Sequence, residues 1–282
     1  MQTNRSAPSE LAAPASNTVA GLHYALWLLS AGALLSYLLV LWTLLASGPL
    51  PGKPGWPEAF LVLTTMFATT AALARQLPAQ NVALAAVIIG FIGGFMHGVG
   101  AATAMPFGPF SYTDEAGPRF FNTLAWAAPA LWIIAILNAR GVARLILRPW
   151  RKLRNYGFSL IGLTAALAVL FDVALEPFAA RVNHFWLWHP TKLPFSWYGA
   201  PMVNFLGWLI TALLILAFAT PAMINKQLRQ KSVPDYHPLV VWLLTFTMFA
   251  IGAIQQQLWP AAGFCVITGI VTAVFALRGA RW

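Results

Sequence analysis

Acidic residues are scarce in this chain: 7 among 282, against 17 Lys and Arg, with charged residues only 9% of the whole. A surface so poor in charge is not that of a soluble domain, and 59% hydrophobic residues with a mean hydropathy of +0.70 say the same. Cysteine is nearly absent: Cys265 alone excludes an intrachain disulfide and any cysteine-built metal site, and it reads as a small buried packing residue. Histidine numbers 5 (His23, His97, His184, His189 and His237), with no HxxH or HExxH pair, so a multi-histidine iron centre is poorly supported. No aspartate-rich magnesium motif for prenyl diphosphates is present either, because Asp172 and Glu176 stand alone on their segment. Glycines 90, 93, 94, 98 and 100 follow no strand, so they read as close helix packing, with Gly94 and Gly98 in small-xxx-small register, rather than as a nucleotide loop.

What is abundant is long apolar runs. A membrane-spanning helix takes about 20 predominantly apolar residues, and the sequence offers runs at 22–46, 59–74, 82–102, 124–139, 158–175, 203–222, 239–254 and 259–277. The expected fold class is therefore all-α, a polytopic bundle of about 8 transmembrane helices. Residues 1–20, polar and rich in Ser, Ala, Pro and Asn, read as a disordered tail, and 21–282 as a single transmembrane domain. The first run lacks a small-residue cleavage site and is too long for a signal-peptide core, so it is expected to remain as a helix.

If the runs alternate across the membrane, thirteen of the 17 Lys and Arg fall on the side that holds both termini and four on the other. That bias places the termini in the cytoplasm. The basic run at 140–154 then reads as a cytoplasmic retention signal meeting anionic lipid. Topology also accounts for the net charge of +10 without a nucleic-acid partner.

This orientation gathers the rare carboxylates. The loops at 106–122 and 176–201 share the outer face and hold Asp114, Glu115 and Glu176 among Trp, Tyr and Gly-Pro. Asp172 and Glu176, spaced i and i+4, share one helix face, and Asn204 and Trp208 repeat that spacing at the start of the sixth run. His97 lies about 8 Å below the same face at 1.5 Å per helical residue. One pocket at the outer interface is the economical reading. The bland alternatives are plain: Trp186, Trp188 and Trp197 taken alone are interface anchors, Asp114 and Glu115 sit in a turn open to solvent, and Asp172 and Glu176 cap a helix or pair with Arg181.

Carboxylic acids beside aromatic rings in a greasy pocket suit acid catalysis on an apolar substrate. Burial disfavours the charged form, so such a carboxyl holds its proton at neutral pH, and aromatic faces stabilise a cation. Protonating an alkene requires both elements.

The residues also carry a resemblance. Pro106-Phe107-Gly108-Pro109-Phe110-Ser111-Tyr112-Thr113, followed by Gly117-Pro118 and Trp126, resembles the Pro-Phe-Gly-x-Tyr-x-Tyr-Thr motif of CruF-type carotenoid hydratases. Asp172, Glu176-Pro177, Trp186-Leu187-Trp188, Trp197-Tyr198-Gly199-Ala200-Pro201 and Asn204-Phe205-Leu206-Gly207-Trp208 resemble that family's second region. Three positions depart from the pattern: His97 stands for a Glu, Glu176 for an Asp and Phe110 for a Tyr.

The resemblance implies addition of water across the terminal 1,2 double bond of an acyclic carotenoid end group. The product is a tertiary alcohol and no external cofactor is used. It implies a carotenoid substrate, membrane lipid and other carotenoid-pathway enzymes as partners, and a bacterial or archaeal cytoplasmic membrane as the location. Asp172, Glu176, His97 and Asp114 are the expected catalytic groups: Glu176 or Asp172 protonates the alkene, and His97 with Asp114 orients and deprotonates water. Tyr112, Trp188, Tyr198, Asn204 and Trp208 are expected to bind substrate. A carotenoid end-group cyclase and a non-catalytic lipid or carotenoid carrier stand as the alternatives.

Overall fold

A computed structural model of the chain describes residues 15–46, 55–192, 194–224 and 233–282, without the side chains of 15–20, 22 and 23. Residues 1–14 of the expected tail, and with them Arg5, lie outside the described residues, as do Lys53, Lys226, Arg229 and Lys231. Among the described residues, eight helices are long and apolar enough to cross a membrane. They are α1 (Ala15–Leu45), α2 (Trp56–Ala74), α3 (Ala79–Thr103), α4 (Ala127–Ile146), α5 (Tyr156–Pro177), α6 (Met202–Ala219), α7 (His237–Gln255) and α8 (Trp259–Ala280).

Their ends follow local chemistry. Proline stands in the first turn of α2, α7 and α8, where its missing N–H would be unpaired in any case. Ala104, in the left-handed region at φ 64°, closes α3 just before Pro106. Pro177 ends α5 and a π-helical turn, Phe178–Val182, continues from it. Because Pro177 has no N–H, the Val173 carbonyl loses its helical partner; Trp197 Nε1 donates to that oxygen at 2.9 Å instead. Trp197 is therefore a structural clamp on α5.

Helix α4 is the centre of the bundle. It packs against α2, α3, α5, α7 and α8, and 72% of its spanning window is buried, against 22% for α1. The apolar run predicts an end at Ala139, yet the helix continues to Ile146 and takes Arg140 and Arg144 with it. The bundle itself satisfies these cations: Arg140 Nη2 donates to the Met223 carbonyl at 3.0 Å and Arg144 Nη1 to Gln76 Oε1 at 2.8 Å. Part of the basic run expected to meet lipid is thus folded into the protein.

Lipid-embedded helices gain little from apolar burial against each other and associate through close packing. The tightest glycine contact of α3 with α4 lies at Gly93, where a Cβ would fall 2.3 Å from Trp132 Cγ. The glycine register differs from expectation: Gly94 meets Pro129, with a Cβ at 2.9 Å, whereas at Gly98 the nearest atom, on Leu124, would be 3.9 Å away. The close face is therefore 90, 93 and 94. At helical spacing Gly98 is displaced toward the loop end of α3, beyond the large side chains of α4.

The two loops on the side of the acidic residues are not irregular. They form short antiparallel ribbons from β1 (Phe110–Tyr112), β2 (Arg119–Phe120), β3 (Leu124–Ala125), β4 (Trp186–Trp188), β5 (Ser196–Trp197) and β6 (Ala200–Pro201). β1 pairs with β4, joining segments about 75 residues apart in the register Phe110 with Trp188, Ser111 with Leu187 and Tyr112 with Trp186. Thr113 N–H donates to the Phe185 carbonyl at 3.0 Å and His189 N–H to that of Pro109 at 2.9 Å, extending the ribbon at both ends.

Candidate active site

Helix α5 presents Asp172 and Glu176 one turn apart, with 0% and 2% of their surface exposed. Asn204, in the first turn of α6 and also 2% exposed, bridges them: its Nδ2 donates to Asp172 Oδ2 at 2.6 Å and to Glu176 Oε1 at 3.1 Å. One amide supplies both hydrogens, which accounts for an Asn at this position.

The ribbon completes the site. Side chains alternate along a strand, so Trp186 and Trp188 of β4 face inward while Leu187, 52% exposed, faces away. Both indoles donate to the same atom, Glu176 Oε2, at 3.1 and 2.8 Å. Glu176 thus accepts three N–H groups, two on Oε2 and one on Oε1. Asp172 accepts one, and its Oδ1 is buried without a hydrogen-bond partner among the described residues.

Aromatic rings enclose this pair. Trp208, 2% exposed, stacks on Trp132 with centroids 4.0 Å apart. Trp132 Nε1 donates to His97 Nδ1 at 2.8 Å. An indole N–H only donates, so Nδ1 is the acceptor and the ring proton of His97 belongs on Nε2. Tyr112 packs edge-on to Phe110 and Trp186. Burial first, and the nearby Glu176 second, push its phenol well above the ordinary tyrosine range, so Tyr112 is held as an O–H donor.

Two cavities meet here. The smaller, about 10 Å³, is lined by His97, Tyr112, Asp172, Glu176, Trp188 and Asn204, together with Phe107, Phe110, Trp186 and Trp208. That is near the space a single water occupies. The larger, about 260 Å³, runs among α1, α2, α4, α5 and α7 against mainly apolar side chains, including Leu61, Leu131, Phe171 and Phe249. His97, Tyr112 and Trp186 line both, so they form the wall between them.

Of the residues the sequence singles out, the structure gathers Asp172, Glu176, His97, Tyr112, Trp188, Asn204 and Trp208 around the small cavity. Asp114 is not among them. Its fully exposed carboxylate pairs with Arg119 at 2.6 Å, and the residue lies at the margin of the larger cavity. A turn beside Gly117-Pro118 holds it out toward solvent. Tyr198 is also elsewhere. Its hydroxyl accepts the Ala261 N–H at 3.3 Å and it packs with Ala253, Ala261 and Ala262, tying the loop to α7 and α8.

Sequence reasoning passed over Trp132 and assigned Trp186 to the interface belt. Trp132 sits in an unbroken apolar run with no local signal. The Trp-x-Trp alternation of 186 and 188 was the available clue, since it puts both indoles on one face.

Residues 57–272 match the family described as "Carotenoid biosynthesis protein". The chain is 28% identical over 173 residues to the bisanhydrobacterioruberin hydratase of Haloarcula japonica, an alignment that takes in 60% of this chain and 56% of the length of that relative. No solved structure matches the chain. A match across most of the chain, including every residue of the acid cavity, establishes that this protein belongs to the carotenoid biosynthesis protein family.

Proposed function

We propose that the protein is a carotenoid 1,2-hydratase that adds water to the terminal double bond of an acyclic end group by acid catalysis. One observation carries the reading: three N–H donors converge on Glu176, while Asp172 Oδ1 remains without a partner beside a cavity the size of one water. Hydrogen bonds donated to a carboxyl favour its ionised form, and Glu176 accepts three against one for Asp172, so Glu176 serves as the carboxylate. Asp172 is the acid, with its proton on Oδ1.

In this reading the end group enters through the apolar cavity and passes between His97, Tyr112 and Trp186. Asp172 Oδ1 transfers its proton to the less substituted alkene carbon, and the π pair becomes the new C–H bond. The tertiary cation at the neighbouring carbon faces Trp188, Trp208 and the Glu176 carboxylate, whose negative charge and π faces stabilise it. Water adds to that carbon and loses a proton to the carboxylate pair, so the sum is alkene plus water giving a tertiary alcohol. No redox partner is consumed. His97 orients the water through Nε2–H, because Nδ1 is engaged by Trp132. The relative named as a hydratase supports the reaction type. The distribution of Lys and Arg supports an orientation with the site on the extracytoplasmic side of a bacterial or archaeal cytoplasmic membrane.

Expression in a bacterial host that accumulates lycopene, with extracted pigments analysed by liquid chromatography and mass spectrometry, tests the proposal. Hydration yields a product heavier by one water per reacted end, with the hydroxyl tertiary. An isomer of the starting pigment would instead mean cyclisation, and bound but unchanged pigment a carrier. In the same assay Asp114→Asn is expected to keep turnover within about twofold of wild type, since surface changes away from the reacting groups have small effects. A large loss there would return Asp114 to the mechanism.

A further inference from the structure

At the opposite end of α4, about 18 Å from Trp132 at 1.5 Å per residue, lies a third cavity, of about 340 Å³. Its wall includes Arg75, Arg140, Arg144, Arg148 and Arg151, with Tyr156 beside them. Against five guanidiniums the wall holds one carboxylate among the described residues, Asp235, and Arg75 Nη2 already pairs with it at 3.1 Å.

Arg75, Arg140 and Arg144 are held by partners within the fold. Asp235 also accepts from Gln76 Nε2 at 2.5 Å, and Gln76 Oε1 accepts from Arg144 at 2.8 Å. Arg140, 8% exposed, is anchored on the Met223 carbonyl of the segment that follows α6. Arg140, Arg144 and Arg148 recur every four residues and so follow one face from α4 into the turn beyond it. The carbonyl end of a helix supplies only about half a negative charge, so the cavity keeps an excess of positive charge. Concentrating like charges in a concave site is unfavourable unless an anion enters it, and guanidinium forks match phosphate oxygens in pairs.

We propose that this cavity is a binding site for a phosphate-bearing anion, either the headgroup of an anionic lipid or a soluble diphosphate. Basic pockets between membrane helices recognise such headgroups. The proposal does not depend on the reaction at the acid pair.

The test uses the full chain purified in a neutral detergent. In one arm inorganic pyrophosphate is titrated and thermal stability recorded; in the other, native mass spectrometry counts phosphatidylglycerol retained from mixed micelles, with phosphatidylcholine as the comparison. Saturable binding is expected in at least one arm, weakened about tenfold or more in the Arg144→Gln/Arg148→Gln double variant. Pyrophosphate alone stabilising the protein identifies a soluble ligand, and selective retention of phosphatidylglycerol identifies a lipid. If the double variant does not fold, Arg151→Glu on the exposed rim is expected to weaken binding, and wild-type binding to fall with added salt. No binding of either probe to wild type, or undiminished binding in a folded variant, overturns the proposal.

Discussion

Asp172→Asn is expected to abolish turnover while leaving the fold intact. The substitution keeps the size and shape of the side chain, and an amide oxygen can still accept the Asn204 hydrogen that Asp172 Oδ2 receives at 2.6 Å. In the proposed mechanism, what disappears is the transferable proton on the atom that has no partner among the described residues. General acid catalysis contributes about 10²–10⁴-fold, and a carbon–carbon double bond offers no easier route to a cation, so the loss should lie toward the upper end of that range. Pigment conversion per unit of folded protein in isolated membranes, with thermal unfolding as the control, measures it. Glu176→Gln provides the contrast. It retains an acceptor for the Trp186 and Trp188 indoles but removes the negative charge facing the cation, so it should also be slow. Full activity in Asp172→Asn would transfer the acid role to another group, and full activity in both variants would end the mechanism.

Asn204→Leu is expected to damage both stability and activity. Leucine matches the volume but takes away the single amide that donates to both carboxyl groups. Glu176 keeps its indoles, whereas Asp172 is left buried with no donor among the described residues. Leaving a buried acceptor without its donor costs about 1–3 kcal/mol, and more where the group is charged, enough to lower the unfolding temperature by several degrees. Activity should fall by about 10² or more, since the pair is no longer held in position. Asn204→Gln, which keeps the donors on a longer arm, should recover part of the stability and little of the rate. Stability unchanged in Asn204→Leu would mean that the bridge does not hold the carboxyl pair.

The substitution of His97 for the family's expected glutamate becomes intelligible beside its neighbour. In α3 it receives the Trp132 indole hydrogen, and Trp132 in turn stacks on Trp208 behind the acid pair. A neutral imidazole committed in this way acts as a donor and spacer. In the proposed mechanism, proton traffic then concentrates on the two carboxyl groups of α5. Gly93 makes the arrangement sterically possible, because any side chain there would run into the Trp132 ring.

Several features were legible in the linear chain. The eight spans appear as apolar runs because the hydrocarbon core selects continuous apolar stretches of fixed length. Asp172 and Glu176 fall on one helix face because the period of an α-helix is local and fixed. That the loops at 106–122 and 176–201 share one face follows from the alternation of the spans, whereas their pairing as the β1–β4 ribbon had no signal in the sequence. Other features belong to the tertiary structure alone. Trp186 and Trp188 look like interface anchors until the ribbon turns both indoles onto one carboxylate oxygen, while Trp197, of the same type, closes the carbonyl left open by Pro177. Asp114 and Tyr198 sit within the motifs yet point to solvent and to α8. Arg140, which ends an apolar run, is inside the bundle because a carbonyl from another helix end meets it. The division has one physical cause. Partition into lipid and helical period depend on neighbouring residues, and so are written along the chain. Which donor meets which carboxyl depends on how side chains from residues 97, 132, 176, 188 and 204 pack around one another, and no local pattern encodes that.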